Sequence, residues 1–154
     1  MHQVNEVTFE NHMKTMNWSK AGVIVAIAMG MGVSALAGDA PDMSKLPPAS
    51  TKTGVTYATD IKPILDNSCV KCHSGDKAKE RLKLDTLEGV MKGSKDGKVV
   101  IPGDSAKSAV VQSIAHANPD DREWMPPLHN RANIQPLTTE QIGLIRAWID
   151  QGSK

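Results

Sequence analysis

The sequence predicts an all-α domain of three or four short helices joined by long loops. Three observations carry that expectation. Apolar residues recur at helical spacing in short windows, as at Ile61, Ile64 and Leu65 and again at Ile142, Ile145, Trp148 and Ile149. Residues that start helices precede several of these windows, and Pro or Gly closes most of them. Extended apolar runs are brief: Val99-Val100-Ile101 is stopped by Pro102-Gly103, and so short a run does not make a sheet.

The 154 residues leave room for one domain plus appendages. Residues 1–37 read as a secretory signal peptide. Ala21 to Ala37 is an uncharged, largely apolar run preceded by Lys14 and Lys20 and ending in the small-x-small signature Ala35-Leu36-Ala37. Glu6 and Glu10 are unusual in such a leader, so Met13 or Met16 is an alternative start. An uncleaved membrane anchor is the competing reading, although Gly30, Gly32 and Ser34 dilute a run at the lower limit for a span. Cleavage would leave no stable membrane insertion and place the protein in the periplasm or otherwise outside the cytoplasm. No cysteine follows the apolar run closely enough for a lipid anchor. The net charge of +1 gives no sign of a nucleic-acid partner.

Residues 38–54 are rich in Pro, Ser and Thr without an apolar period, and predict a flexible linker. The folded domain is expected over residues 55–154. Thr59-Asp60 supplies a cap for a first helix, with Pro63 tolerable in its first turn. Leu82 and Leu84 should turn inward from a charged loop. Asp85-x-x-Glu88 has the form of a capping box for a short helix through Met91, broken by Gly93 and Gly97. Asp104 or Ser105 should cap a helix running to about Ala117, which Pro119 cannot continue. An irregular stretch from Asn118 to Pro136 follows, long enough to imply a function. The last helix should open at the capping box Thr138-x-x-Gln141 and end at Gly152.

The first helix leads into Cys69-Val70-Lys71-Cys72-His73, which holds the only two cysteines of the chain. Two thiols two residues apart, with histidine directly after, fit the covalent attachment of one haem c. On one helical turn both sulfurs can reach the porphyrin vinyl groups, and His73 then offers a neutral nitrogen to the iron as proximal ligand. The alternatives are a thioredoxin-like dithiol, which lacks its usual βαβ setting, a zinc site short of a fourth ligand, and a strained small-ring disulfide. Five of the eight methionines lie at or before Met31, and within the domain the candidates for the sixth position are Met91, His116, Met125 and His129. Met125 is favoured because it lies on the long loop and Pro126-Pro127 stiffens the backbone that presents it. His129 and an open site remain as alternatives.

The chain resembles the planctomycete-type cytochrome c domain. The matching stretches are Asp60-Ile61-Lys62-Pro63-Ile64-Leu65, the Cys69–His73 motif, Leu82-Lys83-Leu84-Asp85, Val100-Ile101-Pro102-Gly103-Asp104, Ser108, Met125-Pro126-Pro127, and Ile142, Ile145, Trp148 and Ile149. They span residues 57–152 in order. The resemblance implies a cytochrome c fold around one haem, with His73 and Met125 on the iron. Members are often fused to other large domains, which this chain does not carry. The expected role is a periplasmic electron carrier working between redox partner proteins. A haem enzyme or gas sensor with a displaceable sixth ligand, and a tethered docking module of a larger redox complex, are the alternatives. From Lys71 to Lys98, eight basic residues stand against five acidic ones. That excess is either an ordinary solvated loop or a surface that steers acidic partners.

Overall fold

The computed structural model describes residues 40–154. The signal-peptide reading of residues 1–37 lies outside the described residues. Four helices form: α1 (Lys62–Ser68), α2 (Leu87–Lys92), α3 (Ala109–Ile114) and α4 (Thr139–Asp150). Single 3-10 turns at Met43–Lys45, Lys79–Arg81 and Asp121–Glu123 punctuate the loops. Among the described residues no strand forms, only an isolated bridge between Ser94 and Gly97. The all-α expectation is met. No helix among these residues is long and apolar enough to cross a membrane.

A π-helical turn, Tyr57–Ile61, runs directly into α1. Its cap is Thr56, whose hydroxyl accepts from the Thr59 N–H. Thr59 and Asp60 therefore lie inside the first turn rather than capping it. Asp60 reaches back instead: its carboxylate accepts from the Thr56 N–H at 2.9 Å and the Thr59 hydroxyl at 2.8 Å, and pairs with Lys52. Pro63 sits in the first turn of α1, where its missing N–H removes no helical bond.

Two other helix starts fall later than the sequence suggests. Thr86, not Asp85, caps α2 by accepting from the Gly89 N–H at 3.1 Å. Helix α3 begins after Ser108, because the residues expected to cap it are used elsewhere. Ser105 donates its N–H and its hydroxyl to the Asp150 carboxylate, at 2.8 and 3.0 Å, fastening this turn to the end of α4. The Asp104 carboxylate accepts from the Lys107 N–H at 3.0 Å. Helix α3 also stops early, at Ile114, since His116 turns to φ 52° two residues beyond. The capping box of α4 forms as expected, with Thr138 and Gln141 each accepting from the other's backbone N–H.

Helix α4 buries Ile142, Ile145, Trp148 and Ile149 against Ile61, Leu65, Val100, Val111 and Ile114. The Tyr57 ring lies 6.0 Å from Trp148, and its hydroxyl donates to the Leu84 carbonyl at 3.0 Å. Trp148 Nε1 donates to the Lys154 carbonyl at 2.9 Å, and the Tyr57 N–H to the same oxygen at 3.0 Å. The two ends of the domain thus meet over one aromatic pair.

The segment read as a flexible linker differs from that reading over residues 42–52, which form a strap on the domain surface. The Asp42 N–H donates to the Ala117 carbonyl at 2.8 Å, and the Ser50 N–H to the Gly143 carbonyl at 2.9 Å. Arg146 donates to the Pro47 carbonyl, and Gln151 to the Lys52 carbonyl at 2.8 Å. Gly143 has a packing reason: a Cβ there would stand 2.8 Å from the Pro48 carbonyl oxygen. Composition suggested a tether because such a strap has no apolar period of its own. Its backbone is satisfied by the helix beneath it.

Asp60 gives this region a pH signature. Hydrogen bonds from Lys52, Thr56 and Thr59 lower its pKa from 3.8 to about 2. A carboxyl depressed on folding contributes stability above its unfolded pKa and loses it as pH falls through the folded one. Asp60→Asn should therefore flatten the decline in urea midpoint between pH 4 and pH 2 relative to the native chain, leaving neutral-pH cooperativity unchanged.

Candidate functional site

The end of α1 delivers the cysteine motif. The Cys69 and Val70 N–H groups both donate to the Leu65 carbonyl, at 2.8 and 3.0 Å, which closes the helix. One further turn follows. The Cys72 and His73 N–H groups donate to the Cys69 carbonyl at 3.1 and 3.0 Å. The motif thus sits on a helix-like turn, as its spacing requires. The loop beyond returns on it: Lys79 N–H donates to the Cys72 carbonyl at 3.0 Å, and Leu84 N–H to the His73 carbonyl at 2.8 Å.

Cys69, Cys72, His73 and Met125 all line one cavity of about 1060 Å³. That volume lies just above the range for ligand clefts, about 300–1,000 Å³. Leu65, Leu82, Leu84, Val99, Val110 and Ile114 supply apolar wall. His129 also lines the cavity, whereas neither Met91 nor His116 does. Met91 is half-buried beside the hydrophobic core, as its place on α2 suggested.

Met125 is half-buried and its N–H donates to the Ser113 carbonyl at 3.1 Å, joining the long loop to the end of α3. His129 is exposed. A residue not singled out from the sequence shapes the loop after Met125. Asn130 donates to the Pro127 and Ile134 carbonyls, both at 2.9 Å, and accepts from the Ile134 N–H at 2.8 Å. The signal was an asparagine beside a Pro-Pro pair, a residue type that bonds its local backbone in turns.

The titratable groups indicate what the cavity can do. Burial pushes the Cys69 thiol up to about 11, with Cys72 adding to the effect. It therefore stays protonated at neutral pH, unlike the exposed low-pKa thiolate of a redox dithiol. Burial also holds His73 below the ordinary histidine range, opposed by the Lys79 and Leu82 carbonyls. A neutral imidazole is the form that binds iron. Its Nδ1 is buried without a hydrogen-bond partner. Among the described residues no group of three or more His, Cys, Asp or Glu gathers as a metal site, which leaves the zinc alternative without a ligand set. An apolar cleft with two thiols and an imidazole on one wall and a thioether on its lining fits a covalently held porphyrin.

Lys71, Lys79, Arg122 and Arg131 also line the cavity. Arg122 is held by Asp120, with Nη2 2.6 Å from the carboxylate, and this pairing holds Asp120 down to about 2.

Residues 69–129 match the family described as Planctomycete cytochrome C. The match supports a planctomycete-type cytochrome c domain over these residues and runs from Cys69 past Met125 to His129, a shorter span than the resemblance read from the sequence. Neither a curated protein nor a solved structure matches the chain.

Asn130→Ala removes three hydrogen bonds from the loop behind Met125. It should cost about 1–3 kcal/mol, since a hydrogen bond contributes roughly 1 kcal/mol net and the Ile134 N–H would be left without its acceptor. Chemical denaturation of the purified protein measures that loss.

Proposed function

We propose, from the planctomycete-type cytochrome c domain in residues 69–129, that this protein is an exported single-haem electron carrier. The family itself suggests a haem-binding electron-transfer role. The observation that carries the finer reading is that the cysteine motif and Met125, far apart in sequence, line the same apolar cavity. Haem c supplies a one-electron change of iron valence when bound.

The residues of the chain divide the remaining work. Cys69 and Cys72 would hold the group through two thioether bonds, each S–H adding across one vinyl double bond so that nothing leaves. His73 and Met125 would be its two protein ligands, one through an imidazole nitrogen and one through a thioether sulfur. With both supplied by the chain, a substrate would have no place to bind. Methionine in place of a second histidine raises the potential. Leu65, Leu82 and Ile114 on the cavity wall would keep water from the bound group, which would lower the cost of solvent reorganisation when an electron arrives. Lys71 and Lys79 line the cavity together with Glu80 and Asp96, whereas Lys83 and Lys95 are partly neutralised by Asp76 and Glu80. This rim suits an acidic redox partner whose approach is steered over roughly a Debye length, about 8 Å at physiological salt. Export is supported by the leader-like residues 1–37, because thioether formation takes place outside the cytoplasm.

A second reading draws on His129 and Arg131, which line the same cavity as Met125. Polar groups near a displaceable ligand would suit a haem enzyme or gas sensor. Carbon monoxide separates the two readings: a carrier stays six-coordinate and binds it slowly, whereas a sensor binds it at once.

Two outcomes test the assignments. Protein made with a cytochrome c maturation system should retain haem through acid-acetone extraction and denaturing electrophoresis. Cys69→Ser and Cys72→Ser should each weaken or abolish that attachment. Met125→Ala should erase the weak long-wavelength sulfur-to-iron band of the oxidised protein and open the reduced iron to carbon monoxide. A band that survives this change would mean that Met125 is not the ligand.

A further inference from the structure

A methionine side chain has three rotatable bonds and a soft sulfur, so it does not hold itself in place. Its order must come from the backbone on either side. After Met125 the chain is stiffened by Pro126 and Pro127 and braced by Asn130. Directly before Met125 stands Trp124, and it is fixed in three ways. Its Nε1–H donates to the Asn118 carbonyl at 2.8 Å. Its ring stacks on His116, with centroids 4.8 Å apart and planes 5° from parallel. Lys45 Nζ lies 5.3 Å from the ring centroid and donates to the His116 carbonyl at 3.1 Å.

We infer that Lys45 is a positioning residue for Met125, acting through His116 and Trp124. The inference rests on the reading of Met125 as distal ligand and adds to it a contact from outside the matched stretch. Lys45 belongs to the 42–52 strap, whose Asp42 N–H donates to the Ala117 carbonyl at 2.8 Å. The strap thus touches the 116–117 turn twice, once through backbone and once through the ammonium group. A cation held near an indole face is attracted by the ring quadrupole. The same ammonium also satisfies a carbonyl of the turn on which that indole stacks. One exposed side chain therefore joins three segments: the strap, the turn after α3 and the residue preceding Met125.

An ordinary packing role for Lys45 would alter melting and leave the iron ligand untouched, so the test reads the ligand directly in the haem-loaded full chain. Lys45→Ala should raise the rate of carbon monoxide entry into the reduced protein by about fivefold, the factor expected from losing one exposed cation–π contact and its hydrogen bond. It should also weaken the long-wavelength band. Lys45→Arg, which keeps the cation and the donor, should restore both. Trp124→Leu should exceed Lys45→Ala in both readouts. Gln151→Ala frees the far end of the strap at Lys52 and should leave both readouts native, whatever it does to the melting temperature. Unchanged carbon monoxide entry and band in Lys45→Ala would overturn the inference whatever Trp124→Leu does, as would a Gln151→Ala response equal to that of Lys45→Ala. Met125→Ala separates the two levels. If it too is silent, Met125 is not the ligand and both readings fall; if it responds while Lys45→Ala does not, only the positioning role falls.

Discussion

A single cavity shared by two loops remote in sequence constrains the whole domain. Leu65, Leu84, Ile114, Leu137 and Ile145 belong both to the hydrophobic core and to the cavity lining. The wall of the site is therefore the near face of the core. Core packing and site geometry cannot vary independently, because interiors are close-packed and transmit small displacements. A domain of this size buries limited apolar area by itself. A planar apolar group held in the cleft would extend the core through the middle of the molecule. His73 Nδ1 sharpens the constraint: a buried ring nitrogen without a partner is costly unless something satisfies it.

The loops are long, but they are not loose. Side chains and backbone bonds do the work that sheet ladders do elsewhere. Asn130 braces the turn after Pro127, the Met125 N–H is bonded to Ser113, and Ser105 is drawn to Asp150. Residues 42–52 extend the same economy to the surface, running from the turn after α3 to the last turn of α4. Four short helices could not fix one another through their own contacts alone, since helices this short are marginal without tertiary packing.

The disagreements between sequence and structure concern helix starts, and at Ser105 the physical cause is visible. Asp60, Asp85, Asp104 and Ser105 are all good cap residues, and each was read as starting a helix. Thr56, Thr86 and Ser108 stand at those positions instead. A polar side chain can satisfy a local N–H or a distant partner, and the local pattern does not say which will win. Ser105 bonds Asp150, 45 residues away, and so leaves the start of α3 to Ser108. Where no distant partner competes, as at Thr138 and Gln141, the cap forms as the pattern predicts. The strap was missed for a related reason: its partners are backbone atoms and side chains of α4 and of the turn after α3, and nothing in its own composition reveals them.

From the sequence by itself came the all-α class of three or four short helices, the inward faces of α4 and the spacing of Cys69, Cys72 and His73. These are local properties: a hydrophobic period, a capping box and a fixed residue spacing are each written within a dozen residues. Tertiary structure alone decided that Met125 and His129 reach the cavity whereas Met91 and His116 do not, and that residues 42–52 lie on the domain. It also decided that burial, not sequence neighbours, governs the Cys69 thiol and the His73 imidazole. Those outcomes depend on which surfaces meet across 50 to 100 residues of chain. Meeting surfaces are selected by the packing of the whole core, which no short pattern encodes.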